Sequence, residues 1–221
     1  MSEFWDWEWV GTHLDLIGDK LVEHVWLTFL AVAIGLVISV PVAVYAQRHT
    51  RAYPPVTWVA GILYTIPSLA LFALLIPFTG LSTLSAEIGL VSYTLLILIR
   101  NIVSGLNGVP DDVKETARGM GYTDRELLWR VEVPLALPVI VAGIRIATVT
   151  TIGLVTVTVF VGKGGLGYLI LNGFRPLLPD VAVPVGLVLS FLLAVASDFL
   201  LLRGQRLLSP WVRPSRARIV T

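Results

Sequence analysis

Residues 25–46 read VWLTFLAVAIGLVISVPVAVYA, 22 positions without a single Asp, Glu, Lys or Arg. A helix rises about 1.5 Å per residue, so about 20 apolar residues cross a hydrocarbon core about 30 Å thick, and this stretch is long enough to span it. Four further apolar runs follow at residues 56–78, 84–99, 135–161 and 181–202, the third interrupted near its start by Glu87. Of the 221 residues, 56% are hydrophobic and 14% charged. An ordinary soluble domain carries about 25% charged residues, so a water-soluble globule is excluded. The pattern predicts an all-α, polytopic integral membrane protein of about five transmembrane helices.

Charge placement tests that count, because Lys and Arg collect on the cytoplasmic side of membrane proteins. With five spans and the amino terminus outside, twelve of the 16 basic residues fall inside: Arg48 and Arg51; Arg100, Lys114, Arg118, Arg125 and Arg130; and Arg203, Arg206, Arg213, Arg216 and Arg218. Only Lys20, Lys163 and Arg175 fall outside, and Arg145 lies within the fourth run. The expected organisation is an extracytoplasmic tail at 1–24, a transmembrane domain at 25–202 and a basic cytoplasmic tail at 203–221. Acidic residues precede the first run where a cleaved signal carries basic ones, so that run is expected to remain as a helix. Residues 162–180 are too short to cross and read as an interfacial helix or a re-entrant loop.

The net charge of +1 gives no general attraction to nucleic acid. The absence of cysteine excludes a disulfide framework, thiolate metal sites and a cysteine nucleophile. His13, His24 and His49 are too scattered for a metal site by spacing, so no metal is expected. The segment Phe4-Trp5-Asp6-Trp7-Glu8-Trp9 suits either an interfacial anchor or an aromatic cage for a cation.

Between the third and fourth runs lies a long polar segment, residues 107–134, that reads as two short helices hinged at a glycine. Pro110 suits a first helical position, and Asp111, Asp112 and Glu115 favour the positive end of the helix dipole. Gly121 is placed to cap the first helix in the left-handed conformation, Thr123 and Glu126 form a capping box for the second, and Pro134 is expected to end it. Leu127, Leu128 and Val131, with Trp129 beside them, leave an apolar face for a partner.

The stretch Glu115-Thr116-Ala117-Arg118-Gly119-Met120-Gly121, followed by Val131-Glu132-Val133-Pro134-Leu135-Ala136-Leu137-Pro138, resembles the EAA signature of binding-protein-dependent ABC importer permeases. Thr116 stands where that signature usually has alanine. Three more pieces resemble the subgroup that imports glycine betaine, choline, carnitine and related osmoprotectants: Thr65-Ile66-Pro67-Ser68-Leu69-Ala70, Arg100-Asn101-Ile102 and Gly162-Lys163-Gly164-Gly165-Leu166-Gly167. The resemblance implies a type I ABC importer (MetI-like) permease fold. It implies a coupling helix seated in a groove of a cytoplasmic ATPase, with Glu115, Thr116, Ala117, Gly121, Tyr122, Leu127 and Pro134 in the coupling loop. The implied partners are a second permease subunit, two ATPase subunits holding ATP-Mg, and an extracytoplasmic substrate-binding protein. An importer of amino acids or another small solute is the alternative within the same architecture.

Other features fit that frame. No GxxxxGK[ST] occurs, so ATP must be hydrolysed on a partner and no cofactor is expected here. The GxGxxG at 162–167 follows an apolar span and not a strand, so it reads as a glycine-rich external turn, with Gly164 and Gly165 placed to flex at a gate. Arg145 sits about ten residues into the fourth run, where a charge costs at least about 2.5 to 3.5 kcal/mol in lipid. At 100° per residue Thr148 lies about 60° to one side of it and Thr156 about 20° to the other. This polar stripe lines a translocation path or the dimer seam, or else Arg145 is a structural tether reaching cytoplasmic groups or Asp198. Small residues recur every four positions at Ala31, Gly35, Ser39 and Ala43, and at Gly186, Ser190 and Ala194, as close helix packing within or between subunits requires. Pro67 leaves the Leu63 carbonyl without a donor and predicts a kink that can hinge a gate. An intramembrane enzyme lacks its paired ionisable groups here, and an ion channel has no need of the 107–134 segment.

Overall fold

In a computed structural model describing residues 6–175 and 177–210, the first apolar run lies inside one helix of 35 residues, α2 (Leu14–Arg48). At about 1.5 Å per residue it is about 52 Å long, well beyond the hydrocarbon thickness. The boundary expected at residues 24 and 25 therefore falls mid-helix. The polar turns before it cost the helix little, because Lys20 and Glu23 pair at 2.9 Å. Ahead of α2, the short helix α1 (Trp7–Thr12) is capped by the Asp6 side chain, which accepts from the Trp9 amide at 3.0 Å. Phe4 and Trp5 of the aromatic segment, and Arg213, Arg216 and Arg218 of the basic tail, lie outside the described residues.

The second run is two helices, α3 (Tyr53–Thr65) and α4 (Ser68–Thr79), bent by 93° where a kink is expected. A residue before proline is pushed out of the helical region. Ile66 and Pro67 are accordingly both extended, with ψ of 127° and 130°. Two extended residues in succession break the helix. The Tyr93 hydroxyl donates to the Ile66 carbonyl exposed by the break, and Tyr64 meets Tyr93 edge-on at 5.9 Å.

The third run is α5 (Thr83–Asn107), the most enclosed long helix, capped by Ser82. Next come α6 (Asp111–Gly119), α7 (Asp124–Leu127), a π turn (Leu128–Glu132), α8 (Val133–Val155) and a 3-10 turn (Thr156–Val161). The chain closes with α9 (Gly167–Phe174), a short helix in the stretch too short to cross, and α10 (Ala182–Leu208). No strand occurs among the described residues. Among the described residues four helices are long and apolar enough to cross a membrane, five if the bent pair counts as one span.

Two apolar clusters set the helix directions. Leu27 and Ala31 of α2 cluster with Ala86 and Leu90 of α5 and with Val155 and Val161. Ala43 of α2 clusters with Leu98 and Ile102 of α5 and with Ala136 of α8. Hence α2 and α5 run parallel and α8 runs against both, the alternation expected of consecutive spans. The small stripe of α2 is wholly buried in this seam. A Cβ on Gly35 would stand 2.1 Å from the Thr94 Oγ1, so the stripe serves packing inside one subunit.

Candidate coupling site and membrane path

The polar segment folds as a tight module. At the end of α6 the Gly121 amide donates to the Arg118 carbonyl at 2.9 Å and the Tyr122 amide to Ala117 at 3.2 Å, with Gly121 at φ 87°. That is the Schellman arrangement, which requires a left-handed residue and so favours glycine. Thr123 and Glu126 form the full capping box: the Thr123 amide donates to the Glu126 carboxylate at 3.1 Å, and the Glu126 amide donates to the Thr123 Oγ1 at 3.3 Å. The two caps leave the hinge residues 120–123 little freedom.

Ala117 and Leu127 are buried at the joint between the helices, while Glu115, Thr116 and Gly121 are exposed. The face expected to await a partner is partly filled from within. Leu128 packs into the cluster of Ala43, Leu106 and Val109, leaving Met120 and Trp129 as the exposed apolar side chains. Pro134 does not end the second helix. The Val133 amide reaches back to the Leu128 carbonyl in the π turn, and Pro134 then sits in the first turn of α8. A proline ring collides with the carbonyl four residues back in a regular helix, and the wider turn makes room for it. Asp124 through Val161 thus forms one helical unit of 38 residues. The Arg48 guanidinium donates to the Asp124 carbonyl at 3.0 Å, tying α2 to this module.

Within the membrane helices, Arg145 and Asp198 meet in a bidentate pair, Nε to Oδ1 and Nη2 to Oδ2, both at 2.8 Å. They line an open groove of about 740 Å³ between α8 and α10, with Phe191, Val195 and Phe199 on its wall. Thr148 and Thr156 do not join them. Their hydroxyls bond the carbonyls of Ile144 and Gly153 on their own helix, and Thr148 faces a separate apolar groove shared with Thr28 and Ser197.

The glycine-rich turn is packed, not open. Gly165 has φ 47°, and a Cβ there would stand 2.6 Å from the Cβ of His24; one on Gly164 would stand 2.6 Å from the Cβ of Val159. His24, set aside by the spacing argument, is fully buried and bridges three elements. Its Nδ1 accepts from the Leu166 amide at 3.2 Å, which leaves Nε2–H to donate to the Ile152 carbonyl at 3.0 Å. The 3-10 turn begins at Thr156, four residues beyond Ile152, where the regular helical ladder ends. Glu87 is also buried, and both of its carboxylate oxygens lack a hydrogen-bond partner among the described residues. Its one signal in the sequence was a charge inside an apolar run.

A family model described as "Binding-protein-dependent transport system inner membrane component" matches residues 26–214. The chain belongs to that family. This inner-membrane permease is 40% identical over 194 residues to the osmoprotectant import permease protein OsmW of Salmonella typhimurium, covering 85% of this chain and 89% of that one. It is 36% identical over 191 residues to the choline transport system permease protein OpuBB of Bacillus subtilis, covering 86% and 88%. Among solved structures, it is similar to the MetNI methionine ABC transporter in an inward-facing conformation, with a TM-score of 0.80 and 26% identity over 89% of this chain and 98% of that one. The MetI-type permease fold is thereby shown.

Proposed function

We propose that this permease carries quaternary-ammonium osmoprotectants such as glycine betaine, choline, carnitine or proline betaine into the cell, driven by ATP hydrolysis on a separate subunit. The observation that carries the mechanism is the helical unit Asp124–Val161, in which the capped docking module runs without a break into a membrane span. Closure of two ATPase subunits holding ATP-Mg, pressing on Glu115, Thr116 and Met120, rocks α8 directly. The substrate class rests on the relatives named for osmoprotectant, choline and carnitine transport. A second permease copy covers the groove of Arg145 and Asp198, a binding protein delivers substrate, and no nucleic acid takes part. The amino terminus lies outside and the carboxyl terminus in the cytoplasm, as the arginine distribution favours. In this reading Arg145 and Asp198 tether α8 to α10, and Pro67, Gly164 and Gly165 fix the gate elements rather than flex. The likeness to a methionine transporter favours an amino-acid importer as the second reading.

The test is copurification of the solubilised permease with its ATPase, wild type against Gly121→Asp, followed by ATP-driven uptake of labelled glycine betaine in proteoliposomes with the binding protein. Wild type is expected to bind and transport, and the variant to insert but do neither. A wild type that binds no ATPase overturns the importer mechanism. One that binds and moves methionine but no betaine overturns the substrate class alone.

A further inference from the structure

The helix α2 is held by elements remote in sequence at two points, its carboxyl-terminal residue Arg48 and, inside the helix, His24. At one end the Arg48 guanidinium donates to the Asp124 carbonyl of the docking module at 3.0 Å, across 76 residues of sequence. Gln47 and Arg48 wall a polar cavity of about 370 Å³ with Arg118, Asp124, Leu127 and Glu132. One turn further in, Ala43 is buried in the same cluster as Leu128 of the π turn. About 36 Å along the helix, His24 accepts from the Leu166 amide and donates to the Ile152 carbonyl, and Gly165 lies so close that a Cβ on it would stand 2.7 Å from the His24 Cα. Between them α2 is one uninterrupted helix, with Pro41 inside it. His24 and Arg48 are 24 residues apart, about 36 Å along the axis.

We infer that the part of α2 between His24 and Arg48 is a push-rod that carries motion of the docking module to the glycine-rich turn at the opposite end of the bundle, with Arg48 and His24 as the positioning residues that clamp it at those two points. An interior packed to crystal density transmits displacement and does not absorb it. The wholly buried small stripe seats α2 closely along α5, which guides its displacement along the helix axis. The docking module therefore drives three spans: α5 and α8 through the chain, and α2 through Arg48. This inference rests on the coupling reading above, and the two fail differently.

The chain has no cysteine, so Lys163→Cys in the glycine-rich turn takes a single environment-sensitive fluorophore. The labelled permease is assembled with its ATPase and binding protein, and the ATP-dependent fluorescence change is read beside ATP hydrolysis and uptake. With Arg48→Ala, and separately with His24→Gln, hydrolysis and subunit binding are expected to persist. The fluorescence change and the substrate moved per ATP are expected to fall about tenfold, within the usual range of coupling between distant sites. Arg48→Lys, which keeps a donor, is expected to recover most of both, and it replaces Arg48→Ala should that variant fail to insert. An unchanged fluorescence response in the Arg48 or His24 variant overturns the push-rod. Loss of ATPase binding in Arg48→Ala overturns it too, because Arg48 then serves docking and not transmission. A wild type that binds no ATPase sinks the coupling reading itself.

Discussion

Replacing Asp198 by Asn keeps the shape of the side chain and removes the charge that neutralises Arg145. The pair is bidentate at 2.8 Å on both arms, with the arginine side chain 24% exposed and the aspartate 40% exposed to the groove. An arginine left alone at membrane depth costs about 2.5 to 3.5 kcal/mol on insertion scales, and access to the groove puts this one at the lower end. About 2.5 kcal/mol is roughly a 70-fold change in the folding equilibrium. The assay is reversible unfolding in mixed micelles of Asp198→Asn, Arg145→Met and the double variant. Each single substitution orphans a charge or its partner, whereas the double leaves none. The double is therefore expected to be more stable than Asp198→Asn, with a coupling energy of about 2 kcal/mol, within the range measured for residues in contact. Additive losses in the cycle would refute the idea that the two groups stabilise one another. Transport separates tether from path: a double variant that folds and still imports leaves Arg145 no role in handling substrate.

His24→Leu keeps bulk but orphans the Leu166 amide and the Ile152 carbonyl; at about 1 to 3 kcal/mol for each buried unpaired group, a clearly lowered thermal midpoint in detergent is expected. Gly165→Ala places a methyl 2.6 Å from the His24 Cβ at φ 47°, so it is expected to reduce the folded, membrane-inserted yield severely, measured by size-exclusion of the solubilised protein. Tyr93→Phe removes the donor to the Ile66 carbonyl at the break between α3 and α4 and is expected to lower stability by about 1 kcal/mol, read by unfolding in mixed micelles.

Span count and the two capped helices of residues 107–134 were legible in the sequence because each rests on local chemistry. A charge-free run of sufficient length has one outcome in lipid, and Gly121, Thr123 and Glu126 form their caps within six residues of one another. What local rules leave undetermined has a different cause. Pro134 was expected to stop a helix by the rule for a regular ladder, and the chain escaped it with a π turn whose cost is met by burying Leu128 against α2 and α5. Pro67 is expected to kink the second run and does; the depth of that kink, a bend of 93°, becomes admissible because Tyr93 satisfies the Ile66 carbonyl. The glycines at 164 and 165 suggested freedom, and they are small because other backbone lies where their side chains would be.

The Val159 that confines Gly164 lies close by, but for Pro67 and Gly165 the deciding atoms, from Tyr93 and His24, come from segments far away in the chain, so no window around the residue contains them. The same holds for His24 and Arg48, whose partners lie 76 to 142 residues on. Neither residue belongs to a motif, and neither is unusual in composition. Their meaning comes only from tying two distant points of one helix to remote parts of the fold. A transporter has to send a displacement from the side where energy is spent to the side where substrate enters. Local signals identify the segment proposed to receive the push, while the parts proposed to transmit it are defined by contacts across the fold and become visible only once the helices are packed.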